Sequence, residues 1–271
     1  GQPDEADRVR DRVLAMSPEG DWTSVGEYLA AFADSGGIVE ERVSGTVVTS
    51  PSVQMRVLPD GSVELLSTHD QLLGGAGGQS YLGCVFPADP AYATLIAEPA
   101  MRIGRHLADL GVLGRFAVDF VTVRDEAGHW SAYAIELNLR KGGTTHPFLT
   151  LQFLTDGEYD AASGLFRTPL GGTKHLVATD HLSDQRLSVL RPEDVFDLVA
   201  LHRLQFDQAR QTGVVLHMIS CLTECGVVGL TAVGDSAEQA WALYQQAQEL
   251  LLGEAERAAV ALPMPAVGLT P

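Results

Sequence analysis

The 271-residue sequence has few cysteines and no long apolar run. Its three cysteines are too few for a disulfide-stabilised scaffold, and Cys221 and Cys225 have three residues between them, whereas zinc and redox pairs usually have two. We therefore expect Cys221 and Cys225 to be buried thiols rather than a metal site and, with Cys84, to belong to a protein of the reducing cytoplasm. No segment has the length and apolar character of a membrane span, and no signal-peptide pattern is found.

Basic residues are also scarce. The sequence contains 18 Lys and Arg against 35 Asp and Glu, for a formal net charge of -17. Phosphate backbones and anionic headgroups attract cations, so we expect neither nucleic acid nor a membrane as a partner. The hydrophobic content of 45% is enough for the core of one large domain or two subdomains. Whether copies of the chain associate into a homo-oligomer is left open by the sequence.

Two strands are predicted near the middle of the chain. Residues 116–123 and 131–137 are rich in β-branched and aromatic side chains. The turn-like residues 124–129 lie between them, which predicts an antiparallel hairpin. One face of this hairpin carries apolar side chains that can face a core, namely Val118, Phe120 and Ile135.

The other face of the hairpin brings three oxygen-bearing side chains together. If the loop consists of residues 126–129, counting back places Asp119 opposite Glu136, with Cβ atoms about 5 Å apart. Asn138 lies two residues beyond Glu136 and therefore shares its face. Two carboxylates this close repel each other unless a cation lies between them, and magnesium prefers such ligands. The alternative is a solvent-exposed hairpin with scattered acids.

The turn after this hairpin is cationic and rich in glycine. Arg140 and Lys141 stand where phosphate or acyl-phosphate oxygens would bind, and this order of metal ligands and cations suits phosphoryl transfer. The residues that follow either allow close backbone approach or offer hydrogen-bond donors to a substrate: Gly142, Gly143, Thr144, Thr145 and His146.

The string Glu136-Leu-Asn-Leu-Arg-Lys-Gly-Gly-Thr-Thr-His-Pro-Phe148, preceded by Asp119-Phe120, resembles the end of the nucleotide site of the ATP-grasp superfamily. The fuller string is similar to bacterial carboxylate–amine ligases of the pheganomycin-type peptide ligase group, and the resemblance runs from about Gly37 to Leu251. It implies ATP and Mg²⁺ as cofactors, and small-molecule or peptide carboxylate and amine substrates joined through an acyl phosphate.

The resemblance also implies an adenine-binding hinge at residues 38–43, which we interpret as a strand. There Glu40, Glu41, Arg42 and Val43 would contact the nucleotide, although an ordinary edge strand is the alternative. No acid for the ribose follows in residues 45–51. The resemblance further implies a lysine-bearing strand and a glycine-rich flap before the hinge. We expect these upstream of Gly1, and the alternative is a member of the family that has lost the flap.

A second hairpin is predicted at residues 52–57 and 62–67 from its turn residues. Gln54 and Arg56 share one face, and Arg56 is a second catalytic candidate that could reach a phosphate, unless that face is simply solvated. Residues 68–79 are interpreted as a glycine-rich loop with Asp70 beside the amine substrate. The segment from Gly74 to Gln79 is the candidate lid, with a plain flexible turn as the alternative.

Hairpins interleave with helices rather than with regular βαβ units. This predicts an α+β, ATP-grasp-like fold with a largely antiparallel sheet and packed helices. We expect a helix from residue 90 to 110 that is kinked or split at Pro99, and a satisfied core histidine at His217. The predicted divisions are an N-terminal helical segment (1–35), a nucleotide- and metal-binding part (36–155), a C-terminal α+β region (156–260) and a tail (261–271).

The leading functional hypothesis is an ATP-dependent carboxylate–amine ligase of the cytoplasm. A degenerate ATP-binding scaffold module without catalysis is the main alternative, and a kinase-like phosphotransferase is the third.

Overall fold

The computed structural model describes residues 4–18, 20, 22–75 and 77–261. Helices α1 to α7 comprise, in chain order, Glu5–Leu14, Val25–Ser35, Pro90–Asp109, Thr145–Thr155, Pro192–Leu201, Ser220–Cys225 and Ala237–Ala261. Strands β1 to β11 comprise Val47–Thr49, Pro51–Val57, Val63–Gly74, Ser80–Phe86, Gly114–Arg124, Trp130–Asn138, Glu158–Asp160, Leu165–Arg167, His175–Ser183, Gly213–His217 and Val227–Gly234.

Nine of the described strands form one sheet, in the order β1-β5-β2-β3-β4-β9-β11-β10 with β6 paired to β5. The remaining two, β7 and β8, form a separate small hairpin. The pairings with a defined register are antiparallel. The predicted α+β class with a largely antiparallel sheet is therefore confirmed.

The chain divides into two compact units. The first comprises Gly1–Ser44 and Leu73–Tyr81, and the second comprises Gly45–Leu72 and Leu82–Pro271. In the first unit α2 begins at an N-cap serine, since Ser24 Oγ accepts a hydrogen bond from Glu27 N at 3.1 Å. Among the described residues, no helix combines the length and the apolar character needed to cross a lipid bilayer.

The main core of the second unit lies between α3 and one face of β2 and β5. Side chains alternate along a strand, so every second residue of β2 and β5 faces α3 and its neighbours face the other way. α3 runs through Pro99 as one helix rather than as two. The buried members of this core are Val53, Met55, Val57, Ile96, Ala100, Leu107, Phe116, Val118 and Phe120.

Several sequence predictions differ from the structure. Residues 38–43 form no strand, and Ile38 and Val39 are exposed. Residues 68–73 belong to β3 instead of forming a loop, and residues 68–70 continue the pairing with β2 up to Asp70 opposite Pro51. Residues 262–271, which make up nearly all of the predicted tail, lie outside the described residues.

Candidate metal and nucleotide site

The hairpin of β5 and β6 places Asp119 opposite Glu136, as predicted, but by a different route. Arg124 pairs with Trp130, so the turn is one residue longer than the predicted 126–129. A β-bulge then makes Ile135 an extra residue in β6, which restores the predicted pairing beyond it. Ile135 is 41% exposed, so the prediction that it faces the core was wrong: the bulge displaces it.

Asp119 has partners on both neighbouring strands. Asn138 Nδ2 donates a hydrogen bond to Asp119 Oδ2 at 3.1 Å. Ser52, which lies opposite Asp119 on β2, and Gln71 on β3 also hydrogen-bond this carboxylate. Partial burial raises the pKa of Asp119, and the Glu136 carboxylate raises it further, against these hydrogen bonds and the charge of Arg140. The ionised form of Asp119 is therefore less favourable than that of an ordinary aspartate, and a nearby cation would offset this.

The donor set fits magnesium better than a transition metal. Within the part of the chain that the structure describes, no group of three or more His, Cys, Asp or Glu side chains could hold a metal ion. Two opposed carboxylates and one amide oxygen make a hard, oxygen-only set, which is how magnesium is bound when substrate phosphates complete its shell. Asp119, Glu136 and Asn138 therefore fit an ion that arrives with a nucleotide.

The loop after β6 leaves part of the predicted site accessible. Arg140, Lys141 and Gly143 are exposed, and a Cβ added to Gly142 would meet no atom within 4 Å. Arg140 N donates to Asn138 O at 2.8 Å, and its guanidinium acts electrostatically on Asp119. These residues are placed where an anionic group beside Asp119 would find a positive charge.

The hydroxyls of Thr144 and Thr145 both hydrogen-bond to Gln54, and donation by these two residues to a substrate stays a prediction. Both are buried. Thr144 Oγ1 accepts a hydrogen bond from Gln54 Nε2, and Thr145 Oγ1 donates to Gln54 Oε1 at 3.0 Å. The sequence had placed Gln54 on the polar face of its strand but had assigned it no role.

Arg56 and Asp70 are engaged elsewhere. Arg56 donates twice to Glu64 Oε2, at 2.8 and 2.6 Å. Arg56 lies four residues along β2 from Ser52, the residue opposite Asp119, which is a distance of about 13 Å. Asp70 accepts hydrogen bonds from Tyr92 Oη at 2.7 Å and from Asp89 N at 2.9 Å. Each side chain therefore has an internal partner in this structure, and the roles of Arg56 toward a phosphate and of Asp70 beside the amine stay predictions.

The predicted adenine-binding residues belong to the first compact unit, whereas the metal hairpin belongs to the second. Glu40, Glu41 and Arg42 are exposed, and Val43 is half-buried. Their contact with a nucleotide stays a prediction. So does the lid from Gly74 to Gln79, which includes one residue outside the described set.

Sequence reasoning missed a pair of histidines beside the loop. The ring centroids of His146 and His217 are 4.4 Å apart. His217 lies opposite Gly229 on β11, and a Cβ added to Gly229 would lie 2.1 Å from the His217 ring. Burial lowers the pKa of His217 to about 4, with a contribution from His146 and against Asp180. His217 Nδ1 is buried without a hydrogen-bond partner among the described residues, so the prediction of a satisfied core histidine was wrong.

Comparison with protein families gives two matches. The family described as IQCH-like, ATP-grasp, matches residues 11–162, which is more than half of the chain. The PGM1 C-terminal domain matches residues 194–247.

Two curated proteins are similar in sequence. L-propargylglycine–L-glutamate ligase of Streptantibioticus cattleyicolor is 35% identical over 227 residues, covering 84% of this chain and 45% of the ligase. IQ motif-containing protein H of Danio rerio is 28% identical over 113 residues, covering 41% of this chain and 11% of that protein. The chain therefore spans less than half the length of either relative.

Two solved structures are similar in fold. Biotin carboxylase of Campylobacter jejuni, in its β-γ-ATP complex, has a TM-score of 0.51 at 13% identity. The match covers 85% of this chain and 54% of the biotin carboxylase chain. Carboxyaminoimidazole ribonucleotide synthase of Aspergillus clavatus, complexed with ATP, has a TM-score of 0.50 at 12% identity. The match covers 92% of this chain and 65% of the synthase chain. At these identities the likeness concerns the fold alone.

Proposed function

The chain belongs to the IQCH-like ATP-grasp family, and on that premise we propose that it carries the magnesium-nucleotide site of an ATP-dependent carboxylate–amine ligase. The observation that carries this proposal is the pairing of Asp119 with Glu136, with Asn138 bonded to Asp119 and a cationic loop directly after. The name of the similar Streptantibioticus ligase supports a ligase that takes amino acids as substrates.

In this proposal Asp119, Glu136 and Asn138 hold magnesium, which when bound would neutralise phosphate charge. Arg140 has a planar guanidinium that can bind two oxygens of the transferring phosphoryl group at once. Lys141 adds a second positive charge at the exposed side of the loop. The chain's own contribution is therefore to position the phosphates and to neutralise them, which is where catalysis of phosphoryl transfer mostly comes from.

The proposed reaction has two steps. A substrate carboxylate oxygen attacks the terminal phosphorus of ATP, so that an acyl phosphate forms and ADP leaves. The neutral amine then attacks the acyl carbon, the bond to phosphate breaks, and an amide, inorganic phosphate and a proton are released. An acyl phosphate is unstable in water, so the second step needs a closed site, for which the segment from Gly74 to Gln79 remains the candidate lid.

The test uses the full-length protein with Mg-ATP, a panel of amino acids and peptides, and hydroxylamine as a surrogate amine. We expect ADP and inorganic phosphate only when a carboxylic acid is present, together with a hydroxamate. Formation of AMP and pyrophosphate would refute the acyl phosphate. A phosphorylated product without an amide would indicate a phosphotransferase, and nucleotide binding without turnover would favour a scaffold.

A second measurement tests the metal ligands. Glu136→Gln should weaken Mg-nucleotide binding by at least about tenfold, the lower bound seen when even a ligand's supporting residue is removed. Glu126→Gln, in the exposed turn of the same hairpin, is the matched control and should bind as the unchanged protein does. Equal affinity of the two variants in calorimetry would contradict the proposed metal site.

A further inference from the structure

Gln54 lies in the same row of the sheet as Asn138. Gln54 is opposite Ala117 on β5, and Ala117 is opposite Asn138 on β6. All three side chains lie on the face away from α3, in the row next to the one that contains Asp119. The chain that leaves β6 at Asn138 returns to this row at Thr144 and Thr145.

The loop from Leu139 to Gly143 is held at both ends. At its start Arg140 N donates to Asn138 O at 2.8 Å. At its end Thr145 Oγ1 accepts from Gly142 N at 3.1 Å while donating to Gln54 Oε1. Gln54 is 1% exposed, and both ends of its amide group are hydrogen-bonded to Thr144 and Thr145, the two residues that directly follow the loop. Removal of the amide would leave two buried threonine hydroxyls short of a partner.

We propose that Gln54 is a positioning residue that fixes the loop carrying Arg140 relative to Asp119 and Glu136. The inference rests on the proposed function, since it assigns Gln54 to the arrangement of that same site. A loop with two adjacent glycines has many accessible conformations, and its order must come from contacts outside it. Gln54 supplies those contacts without touching any reacting group, because Thr144 and Thr145 lie between it and the loop.

The test compares three variants of the full-length protein. Gln54→Met and Thr145→Val remove the contact at nearly constant volume, while Thr145→Ser keeps the hydroxyl. We expect kcat to fall about tenfold to hundredfold in the first two variants, since a misplacement of about 1 Å can cost that much. The KM for ATP should change by less than about threefold, because the metal ligands are untouched. Thr145→Ser should retain most of the kcat.

Thr155→Val is the matched control. Thr155 lies at the other end of α4, is equally buried, and donates its hydroxyl to Leu151 O at 2.7 Å within the same helix. It should lose a similar amount of stability and keep kcat. An equal fall in kcat for Thr155→Val, or an unchanged kcat in Gln54→Met, would overturn the proposal.

A readout without substrate separates this proposal from the proposed function. Amide hydrogen exchange of the peptide that contains residues 139–145 should be faster in Gln54→Met and Thr145→Val than in the unchanged protein, and unaltered in Thr155→Val. If the unchanged protein forms no ADP, the proposed function fails, while faster exchange still supports the role of Gln54 in holding the loop. Unaltered exchange in Gln54→Met would reject that role whatever the activity.

Discussion

The two faces of β2 and β5 carry different properties of the protein. The face toward α3 is apolar and fully buried, with Val53 and Met55 from one strand and Phe116 and Val118 from the other. The opposite face of the same strands carries polar side chains, among them Ser52 and Asp119, which hydrogen-bond each other, and Gln54, which bonds Thr144 and Thr145. Among these, Asp119 has its pKa raised mainly by partial burial.

Within the same two strands, the apolar face contributes mainly to stability and the polar face mainly to function. Burial of the apolar face contributes to folding without any reference to a ligand. The polar face contributes little to the free energy of folding. Burying one carboxylate opposite a second carboxylate is unfavourable until a cation is bound. Substitutions on the first face should therefore change stability, and substitutions on the second should change function.

The largest expected effect is on the apolar face. Phe116→Ala should reduce the free energy of unfolding by about 3–5 kcal/mol, because it removes a large buried side chain and leaves a cavity. Phe153, on α4, is 89% exposed and provides the matched control, with little change expected in Phe153→Ala. Urea denaturation measures both. The folded fraction of Phe116→Ala should bind Mg-nucleotide normally, and a loss of affinity there would show that the two faces are coupled.

A smaller effect in free energy is expected beside the polar face. Arg140→Lys should lower kcat by about 10²-fold, comparable to the loss of one preorganised donor, because an ammonium cannot bind two oxygens as a planar fork does. Arg102→Lys, exposed on α3, should have no effect. A raised KM for ATP with unchanged kcat would mean that Arg140 acts only in the ground state.

The smallest effect concerns pH and is measured without metal. A carboxyl whose folded pKa is raised above its ordinary value of 3.8 contributes stability that is present below that value and is lost as the pH rises through the folded pKa. Asp119→Asn should therefore be more thermally stable than the unchanged protein at pH 7 in EDTA, and the difference should shrink toward pH 3.8.

Asp125→Asn is the control of opposite sign. A hydrogen bond from His129 N lowers the pKa of Asp125, so this carboxylate contributes stability at pH 7 that is lost as the pH falls through its folded pKa. Asp125→Asn should be less stable at pH 7. With saturating Mg-ATP, the unchanged protein should exceed Asp119→Asn in melting temperature, and failure of this inversion would argue against a cation at Asp119.

Much of the site could be predicted from strand periodicity alone. Side chains two apart share a face, so Glu136 and Asn138 had to project together, and so did Gln54 and Arg56. The opposition of Asp119 and Glu136 was correct although the predicted turn was one residue too short, because the bulge at Ile135 compensated for the error. No local feature of residues 130–138 indicated that bulge.

Partner choice was the least predictable part. Arg56 is hydrogen-bonded to Glu64 on β3, 8 residues away along the chain. Asp70 accepts a hydrogen bond from Tyr92 on α3, 22 residues away. Which charged or polar side chain is free and which is bonded depends on neighbours brought in by the sheet order. For the same reason His217 was misinterpreted, since its contact with His146 joins β10 to α4.

The sequence by itself determined the alternation that separates a core face from a polar face, the acidic pair with its cationic loop, and the resemblance to ATP-grasp enzymes. These are local properties, set by side-chain order and strand period. Only the tertiary structure decided that Gln54 holds the loop and that Thr144 and Thr145 are buried, because both depend on contacts about 90 residues apart in the chain. Such contacts form when strands pair, and no local propensity specifies them.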